Sequence, residues 1–438
     1  MVRRTNFDAV ESNLTPEQVK LEADRCLHCK NARCVTGCPV NINIPEFIAA
    51  IKEDNLEKAG EVIRETSLLP SVCGRVCPQE RQCEGKCVLG IKGEAIAIGA
   101  LERYVGDNTD AKAEVAPETG KKVAIIGSGC AGITAAADLR KAGHKVVVFE
   151  ALHKLGGVLR YGIPPFRLPR KFLDRELNAL RNMGVEFYTN VVVGKSITIQ
   201  QLKNDGYDAI FICSGAGLPK MLNIPGENLN GVYSANEFLT RVNLMHANRG
   251  DAPTPLKTGK RAIIVGGGNV AMYAARVAVR VGFESVKIVY RRTEAELPAR
   301  LEEIRHAKEE GVVFQFLHNP VELTGENGFV NKAKLEIMEL GEPDESGRRS
   351  PVPTGQYVEE DVDTFIVALG TGPNPIIQSS VSSEGLNLET DRKGYIVIDA
   401  ATGKTTIDGV YAGGDVAPTG TSNAINAMGA GTVSYTHL

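Results

Sequence analysis

Two segments of the chain share one pattern, in which an apolar strand ends in a cluster of glycines and leads directly into a helix. The first occupies residues 122–132 and the second occupies residues 261–271. Glycines at such a turn allow the backbone to approach a pyrophosphate, and the N-terminus of the following helix attracts its negative charge. The sequence therefore predicts two nucleotide-binding units built on parallel α/β sheets.

The first glycine cluster is accompanied by signs of an FAD site. Gly127, Gly129 and Gly132 form the turn, and Glu150 ends the next strand, where an acid binds ribose hydroxyls. The predicted site is completed by Gly156, Gly157, Gly370, Gly414 and Asp415. Asp415 is expected to hold the ribityl chain, with a helix beginning near Thr421 directing its positive end at the flavin ring. The alternative for Asp415 is a helix-capping acid after a glycine turn.

The second glycine cluster is followed by basic residues. Its turn contains Gly266, Gly268, Asn269 and Val270, and the next predicted strand, 286–290, is followed by Arg291 and Arg292. Two guanidinium groups suit the 2′-phosphate of NADP, whereas an acid there would bind the ribose diol of NAD. NADPH is therefore predicted as the second dinucleotide, and a solvated strand end is the alternative for the two arginines.

Eight of the ten cysteines lie between Cys26 and Cys87. Their spacings are C-x2-C-x4-C-x3-C-P, starting at Cys26, and C-x3-C-P-x4-C-x3-C, starting at Cys73. Short spacings on a turning backbone bring several thiolates to one cluster, and a cysteine before proline commonly serves a second cluster. Two [4Fe–4S] clusters are therefore predicted, with structural zinc and unliganded thiols as the alternatives.

The predicted secondary structure changes along the chain, from short helices to alternating strands and helices, and this change predicts three domains. Residues 1–118 are expected to form a helical iron–sulfur domain, with helices over 44–54 and 56–66. The FAD domain is expected over 119–258 and 369–438, and the NADPH domain over 259–368. The predicted fold class is α/β, with the second Rossmann-like domain inserted in the first, because the apolar segment at 410–414 resembles a return to the first sheet.

Composition excludes some classes of partner. The net charge is −3, so the basic excess typical of nucleic-acid binding is absent. The sequence contains no uninterrupted stretch of eighteen apolar residues, so no membrane-spanning helix is predicted. Residues 1–20 lack the apolar core of a signal peptide. A cytoplasmic protein that binds neither nucleic acid nor membrane is expected.

Several motifs together resemble a known family. The cysteine pattern, residues 161–169 (YGIPPFRLP) and residues 266–272 resemble the small subunit of glutamate synthase and the N-terminal part of dihydropyrimidine dehydrogenase. Residues 215–220, 235–241 and 340–349 are similar to the large subunit of NADH-dependent ferredoxin:NADP oxidoreductase, a branch that includes sulfide dehydrogenases.

The resemblance implies two [4Fe–4S] clusters, one FAD and an NADPH site. The function it implies is electron transfer to or from a second subunit or ferredoxin. The alternative is a small subunit that supplies electrons to the large subunit of glutamate synthase. No catalytic side chain is expected, since hydride transfer itself requires no acid or base.

The same resemblance implies a division of the cluster ligands. The first cluster takes Cys26, Cys29, Cys34 and Cys87, and the second takes Cys38, Cys77, Cys83 and Glu102. Cys73 is then spare. The alternative is that Cys73 is a ligand and that Glu102 is an ordinary solvated acid on a helix.

The chain departs from the family pattern at two places. Tyr273 occupies a position that is usually aspartate after the second glycine cluster. Residues 432–438 replace the lysine- and alanine-rich helix with which the family continues.

Overall fold

The computed structural model describes residues 2–110, 114–254, 256, 258–345, 347, 349–417 and 424–435. The chain divides into two compact units. The first-sheet unit comprises Glu11–Arg160, Arg167–Ala216 and Pro373–Leu438. The second-sheet unit comprises Met1–Val10, Tyr161–Phe166 and Gly217–Gly372.

Helices and strands are numbered in chain order. The α-helices are α1 (Pro16–Asp24), α2 (Arg33–Thr36), α3 (Ile44–Lys52), α4 (Leu56–Arg64), α5 (Pro70–Val76), α6 (Ile98–Asn108), α7 (Cys130–Lys141), α8 (Val158–Tyr161), α9 (Arg170–Asn182), α10 (Ile199–Asn204), α11 (Ala235–Asn243), α12 (Asn269–Arg280), α13 (Leu301–Glu309), α14 (Ile376–Ser383) and α15 (Ala424–Tyr435). The strands are β1 (Lys122–Ile126), β2 (Lys145–Phe149), β3 (Glu186–Tyr188), β4 (Ala209–Ile212), β5 (Leu218–Pro219), β6 (Val232–Ser234), β7 (Arg261–Val265), β8 (Ser285–Tyr290), β9 (Val313–Phe316), β10 (His318–Glu326), β11 (Phe329–Pro343), β12 (Arg349–Asp361), β13 (Thr364–Val367), β14 (Thr371–Gly372) and β15 (Val410–Ala412).

The N-terminal part of the first-sheet unit consists of short helices, as predicted. Proline in the first turn favours the starts of α1, α3 and α5, and Thr15 caps α1 by accepting a hydrogen bond from the backbone N–H of Gln18. The predicted helices over 44–54 and 56–66 are present and end two residues earlier, at Lys52 and Arg64. Their apolar faces meet in a core around Phe47, which is fully buried.

The rest of this unit is built on a five-stranded parallel sheet with the order β15-β4-β1-β2-β3. The strand that precedes the first glycine cluster, β1, is central and almost entirely apolar, as a strand covered on both faces should be. Strand β15, near the end of the described chain, pairs with β4. The predicted return of the chain to the first sheet is therefore confirmed.

The second-sheet unit repeats this plan. Its five parallel strands have the order β6-β13-β7-β8-β9, again with the strand of the glycine cluster, β7, in the middle. A separate antiparallel sheet of β10, β11 and β12 follows β9 in the chain. The short strands β5 and β14 pair with each other.

The observed division differs from the predicted domain boundaries at several places, among them Tyr161–Phe166, which falls in the second-sheet unit. Strand β6 and helix α11 precede residue 259 but belong with the second sheet, so that this unit takes in Gly217–Gly372 instead of beginning at 259. Met1–Val10 also falls in this unit instead of with the helical segment. A three-residue strand such as β6 is too short to show a periodic pattern in the sequence.

No described helix is both long enough and apolar enough to cross a membrane.

Candidate cluster and dinucleotide sites

A cavity in the helical part of the first-sheet unit brings together four of the clustered cysteines. The cysteines on its lining are Cys26, Cys29, Cys34 and Cys87. All four are partly exposed. The backbone turns sharply between the first two, where His28 adopts a φ of 47°. These are the four cysteines that the family resemblance assigned to the first cluster.

A second, more buried cavity holds the other predicted donor set. Its potential ligands are Cys38, Cys77, Cys83 and Glu102. The three cysteines are buried, and burial raises the pKa of the Cys38 thiol to about 11. Burial disfavours the charged thiolate, which a bound metal would stabilise.

Glu102 is the one carboxyl group of the second donor set. It projects from α6, is 5% exposed, and its Oε1 has no hydrogen-bond partner among the described residues. Burial, with a smaller contribution from Glu84, raises the pKa of Glu102 to about 8. An unpaired buried carboxylate is costly unless a cation or a proton satisfies it. The position therefore fits an oxygen ligand, and the alternative of a solvated helix acid does not match its burial.

Cys73 is absent from the lining of both cavities. It lies on α5, is fully buried, and its thiol donates a hydrogen bond to Met428 Sδ at 3.5 Å. A hydrogen bond with Cys77, together with burial, raises the pKa of the Cys73 thiol well above its usual value. Cys73 is thus a neighbour of the second donor set without facing its cavity.

The first glycine turn combines tight packing with open space. Gly127 has a φ of 116°, and a Cβ on Gly132 would lie 2.0 Å from the carbonyl oxygen of Gly127. A Cβ on Gly129 would meet nothing within 4 Å, so the turn faces open space where α7 begins. This combination fits the close approach of a pyrophosphate to a helix N-terminus.

Ser128, which the sequence analysis did not single out, joins two parts of this predicted site. Its backbone N–H and its hydroxyl donate to Glu150 Oε2 at 3.1 and 2.5 Å. The hydroxyl also accepts a hydrogen bond from the N–H of Gly156 at 2.9 Å. A small hydroxyl residue between two fingerprint glycines is the signal that could have identified it. Gly157 lies against the same turn, since its added Cβ would be 3.0 Å from the Cα of Gly129.

Gly414 and Asp415 also lie beside the first turn. Gly414 has a φ of 72°, and its added Cβ would be 3.0 Å from the Cβ of Ala131. Burial raises the pKa of the Cys130 thiol, on the first residue of α7, and the nearby Cys73 and Asp415 raise it further. Thr421 lies outside the described residues, and the described part of α15 begins at Ala424. Gly370, the remaining glycine predicted for FAD, falls in the second-sheet unit.

The second glycine turn has similar geometry. Gly266 has a φ of 138°, and a Cβ there would lie 2.3 Å from the carbonyl oxygen of Ala368. A Cβ on Gly268 would meet nothing within 4 Å. Asn269 begins α12, and its Oδ1 accepts a hydrogen bond from the N–H of Arg300 at 2.9 Å. Val270, next to it, is 38% exposed, which is unusual for a large apolar residue and leaves it accessible to a bound molecule.

The two arginines predicted to bind the 2′-phosphate differ in their surroundings. Arg291 follows β8 and is exposed. Arg292 is 7% exposed, and its Nε donates to the carbonyl oxygen of Arg349 at 2.9 Å. The exposed guanidinium of Arg291 is free to meet a ligand in solution, whereas Arg292 is engaged with strand β12.

Two family models match the chain. One, for dihydropyrimidine dehydrogenase domain II with a 4Fe-4S cluster, matches residues 3–114. The other, for pyridine nucleotide-disulphide oxidoreductase, matches residues 90–431. The first match covers every cysteine of both cavities and favours iron–sulfur clusters over structural zinc.

Curated relatives cover most of the chain. The glutamate synthase [NADPH] small chain of Escherichia coli (strain K12) is 36% identical over 95% of this chain and 90% of its own length. The NADPH-Fe(3+) oxidoreductase subunit beta of Geobacter sulfurreducens is 35% identical over 88% of this chain and 60% of its own length. Among solved structures, FprA from Mycobacterium tuberculosis in complex with NADPH has a TM-score of 0.60 at 23% identity, and the match covers 73% of this chain and 84% of that chain. The last similarity concerns the fold alone.

Proposed function

We propose that this chain, a member of the pyridine nucleotide-disulphide oxidoreductase family, passes electrons between NADPH and a protein partner. Its similarity to the small chain of NADPH glutamate synthase supports this proposal. It is an NADPH-dependent oxidoreductase with FAD and iron–sulfur centres. The number of clusters, two, is part of the proposal and follows from the two cysteine-lined cavities.

The observation that carries the proposal is the position of helix α15. Ile425 on this helix lines the second cysteine cavity. Gly431, six residues further along the helix, packs so closely on α7 that its added Cβ would lie 2.5 Å from the carbonyl oxygen of Ala131. One helix therefore contacts both the candidate cluster site and the helix of the FAD-type turn. This arrangement suits electron transfer between the two centres.

Each part of the chain has a role in positioning. The turn of Gly127, Gly129 and Gly132 binds the pyrophosphate of FAD, and Glu150 orients Ser128 and the ribose end of the site. Gly266, Gly268 and Asn269 hold the pyrophosphate of NADPH, and Arg291 binds its 2′-phosphate. An FAD held at this turn would supply the conversion between a two-electron hydride and the single electrons that iron–sulfur clusters carry. No side chain is assigned to acid–base catalysis.

The partner and the cellular location are also proposals. We infer a second electron-transfer subunit or a ferredoxin as partner, in the cytoplasm. The second candidate function is to supply electrons to the large subunit of glutamate synthase, and the 36% identity to a small chain of that enzyme favours it. Copurification of the native chain with its partner, followed by identification of that partner, distinguishes the two.

The cofactor content is the first prediction. Protein purified without oxygen is expected to contain about eight irons and one FAD per chain, and no FMN, because two four-iron donor sets and one FAD-type turn are present. Iron and acid-labile sulfide analysis and chromatography of the released flavin measure this. Zinc in place of iron, or protein without flavin after anaerobic isolation, contradicts the proposed function.

A further inference from the structure

The sulfurs of the second donor set have hydrogen-bond donors close to them. Burial raises the pKa of the Cys38 thiol, and hydrogen bonds from the backbone N–H groups of Ile42 and Val40 oppose that shift. Burial also raises the pKa of the Cys83 thiol, and a hydrogen bond from the backbone N–H of Glu84 opposes it. Two of the three sulfurs therefore accept hydrogen bonds from the backbone, which an ordinary side-chain substitution does not remove.

The third sulfur, that of Cys77, differs because its donor is the side chain of Cys73. Cys77 ends α5 four residues after Cys73, and its backbone N–H donates to the carbonyl oxygen of Cys73 at 3.1 Å. Residues four apart on a helix lie on the same face, so the two thiols are neighbours. The side-chain hydrogen bond from Cys73 is the largest influence on the pKa of the Cys77 thiol and lowers it, while burial and nearby charges leave it raised.

The Cys73 thiol has one proton and two sulfur acceptors. Met428 Sδ lies 3.5 Å from the Sγ of Cys73, and the Sγ of Cys77 is the second acceptor. A thioether accepts hydrogen bonds weakly, whereas a ligand thiolate carries negative charge and accepts a stronger, charge-assisted hydrogen bond. Cys73 is fully buried, so water does not compete for the proton. A bound cluster would therefore favour Cys77 as the acceptor.

The surroundings of the second donor set disfavour reduction of a cluster held there. An added electron makes a cluster more negative, and a buried site offers no water to stabilise that charge. Glu102 would add a carboxylate to the three thiolates, and burial, with a smaller contribution from Glu84, already raises the pKa of Glu102 to about 8. A hydrogen bond donated to a ligand sulfur stabilises the added charge and so raises the reduction potential.

This inference rests on the proposed function, since it requires a cluster in the second cavity. We propose that Cys73 is a positioning residue that acts through Cys77: its thiol donates a hydrogen bond to the ligand sulfur and raises the reduction potential of the second cluster. On reduction the cluster gains one electron and no proton, and the proton of the hydrogen bond stays on Cys73. The hydrogen bond with Cys77, together with burial, holds the pKa of the Cys73 thiol well above its usual value, in agreement with a permanently protonated donor.

The test is a redox titration of the holoenzyme followed by electron paramagnetic resonance, which gives the midpoint potential of each cluster. Cys73→Ala and Cys73→Val both remove the donor, and valine also fills most of the space of the thiol. In both variants the equilibrium constant for one-electron reduction of the second cluster is expected to fall about tenfold, which corresponds to a potential lower by about 59 mV. The iron content and the potential of the first cluster should not change. Should the smaller alanine disturb the fold, the valine variant decides.

Three further variants separate the hydrogen bond from packing. Cys73→Ser keeps a donor at the same position, and its equilibrium constant is expected to lie within about threefold of the unmutated value. Val72→Ala shortens a fully buried neighbour on α5 without removing a donor, and its constant is expected to stay within about twofold. Met428→Leu removes the competing thioether and keeps the apolar bulk, so it should not lower the potential.

The outcomes are distinguishable. If Cys73→Ala and Cys73→Val keep the second cluster at an unchanged potential, the inference is wrong and the proposed function stands. If Val72→Ala lowers the potential as much as they do, packing and not the hydrogen bond is responsible, which also overturns the inference. If both donor-free variants lose the second cluster, Cys73 is itself a ligand and the inference is wrong. If the unmutated protein holds only one four-iron cluster, the two-cluster part of the proposed function fails and the inference fails with it.

Discussion

Replacing Cys77 by alanine is expected to remove one of the two clusters, whereas replacing Cys73 by alanine should leave both in place. Cys77 faces the second cavity and Cys73 does not. The iron content of the Cys77→Ala protein should fall by about half, since a cubane that has lost a thiolate ligand is released readily. Iron analysis and electron paramagnetic resonance of the reduced protein measure both variants.

Variants of Glu102 test the ligand assignment of the second cluster more specifically. An oxygen ligand is harder than a thiolate and affects the reduction potential of the cluster it binds. Glu102→Ala is expected to abolish the signal of the second cluster or to shift its potential, and Glu102→Gln, which keeps an oxygen donor, should retain the cluster with a smaller shift. Glu94→Ala, at an exposed glutamate in the same segment, is the matched control and should change neither signal.

One result would reverse the ligand assignment. If Glu102→Ala leaves both signals and both potentials unchanged while Cys73→Ala abolishes one cluster, then Cys73 is the ligand. The buried carboxyl group of Glu102 would in that case be held protonated in the folded protein, in agreement with its pKa of about 8.

Replacing Arg291 by alanine is expected to lower the preference for NADPH over NADH by about 30-fold. A guanidinium that binds a phosphate through charge-assisted hydrogen bonds contributes roughly 2 kcal/mol, and NADH lacks the 2′-phosphate. Stopped-flow measurement of flavin reduction by each nucleotide determines the ratio. The loss should appear in the NADPH reaction alone.

Arg292→Ala serves as the comparison for Arg291→Ala. The sequence assigned both arginines to the phosphate, but the side chain of Arg292 is buried against the backbone of Arg349. Its replacement should lower stability and leave the nucleotide preference nearly intact. Equal rates of flavin reduction by NADPH and NADH in the unmutated protein would contradict the assignment of these arginines to the 2′-phosphate.

The role of Tyr273 can be tested in the same stopped-flow experiment, and the choice of substitution matters. The family's usual aspartate would place a carboxylate at a position that is 6% exposed here, which carries its own cost in stability. Tyr273→Phe keeps the ring and removes only the hydroxyl, so it tests the position without burying a charge.

The parts of the fold that depend on local sequence could be predicted. Strands β1 and β7 and the glycine turns after them were placed to the residue, because strand burial and the needs of the turn act within a dozen neighbouring residues. Cys130 and Cys213, the two cysteines outside the clustered group, are buried, as lone cysteines among apolar neighbours usually are.

Features that depend on distant contacts could not be predicted in this way. The antiparallel sheet of β10, β11 and β12 was missed, because β12 is largely exposed and shows little apolar alternation. The burial of Glu102 depends on packing against segments that lie up to about sixty residues earlier in the chain, such as the loop of Cys38. The inward turn of Arg292 depends on Arg349, fifty-seven residues away. The division of the cysteines between two cavities came from resemblance to a family, since spacing alone does not specify which loops meet.

The pairing of β5 with β14 has a consequence for how such a chain could have arisen. The inserted segment enters at Leu218 and leaves at Gly372, and these two residues are register partners in adjacent antiparallel strands. Their Cα atoms are therefore only about 5 Å apart. A gene segment encoding a piece with such neighbouring ends could be placed into a single surface loop of an ancestral one-sheet protein without disturbing its other connections. The similar strand orders of the two sheets make duplication of one ancestral unit, followed by insertion of the copy into the original, a direct route to this architecture.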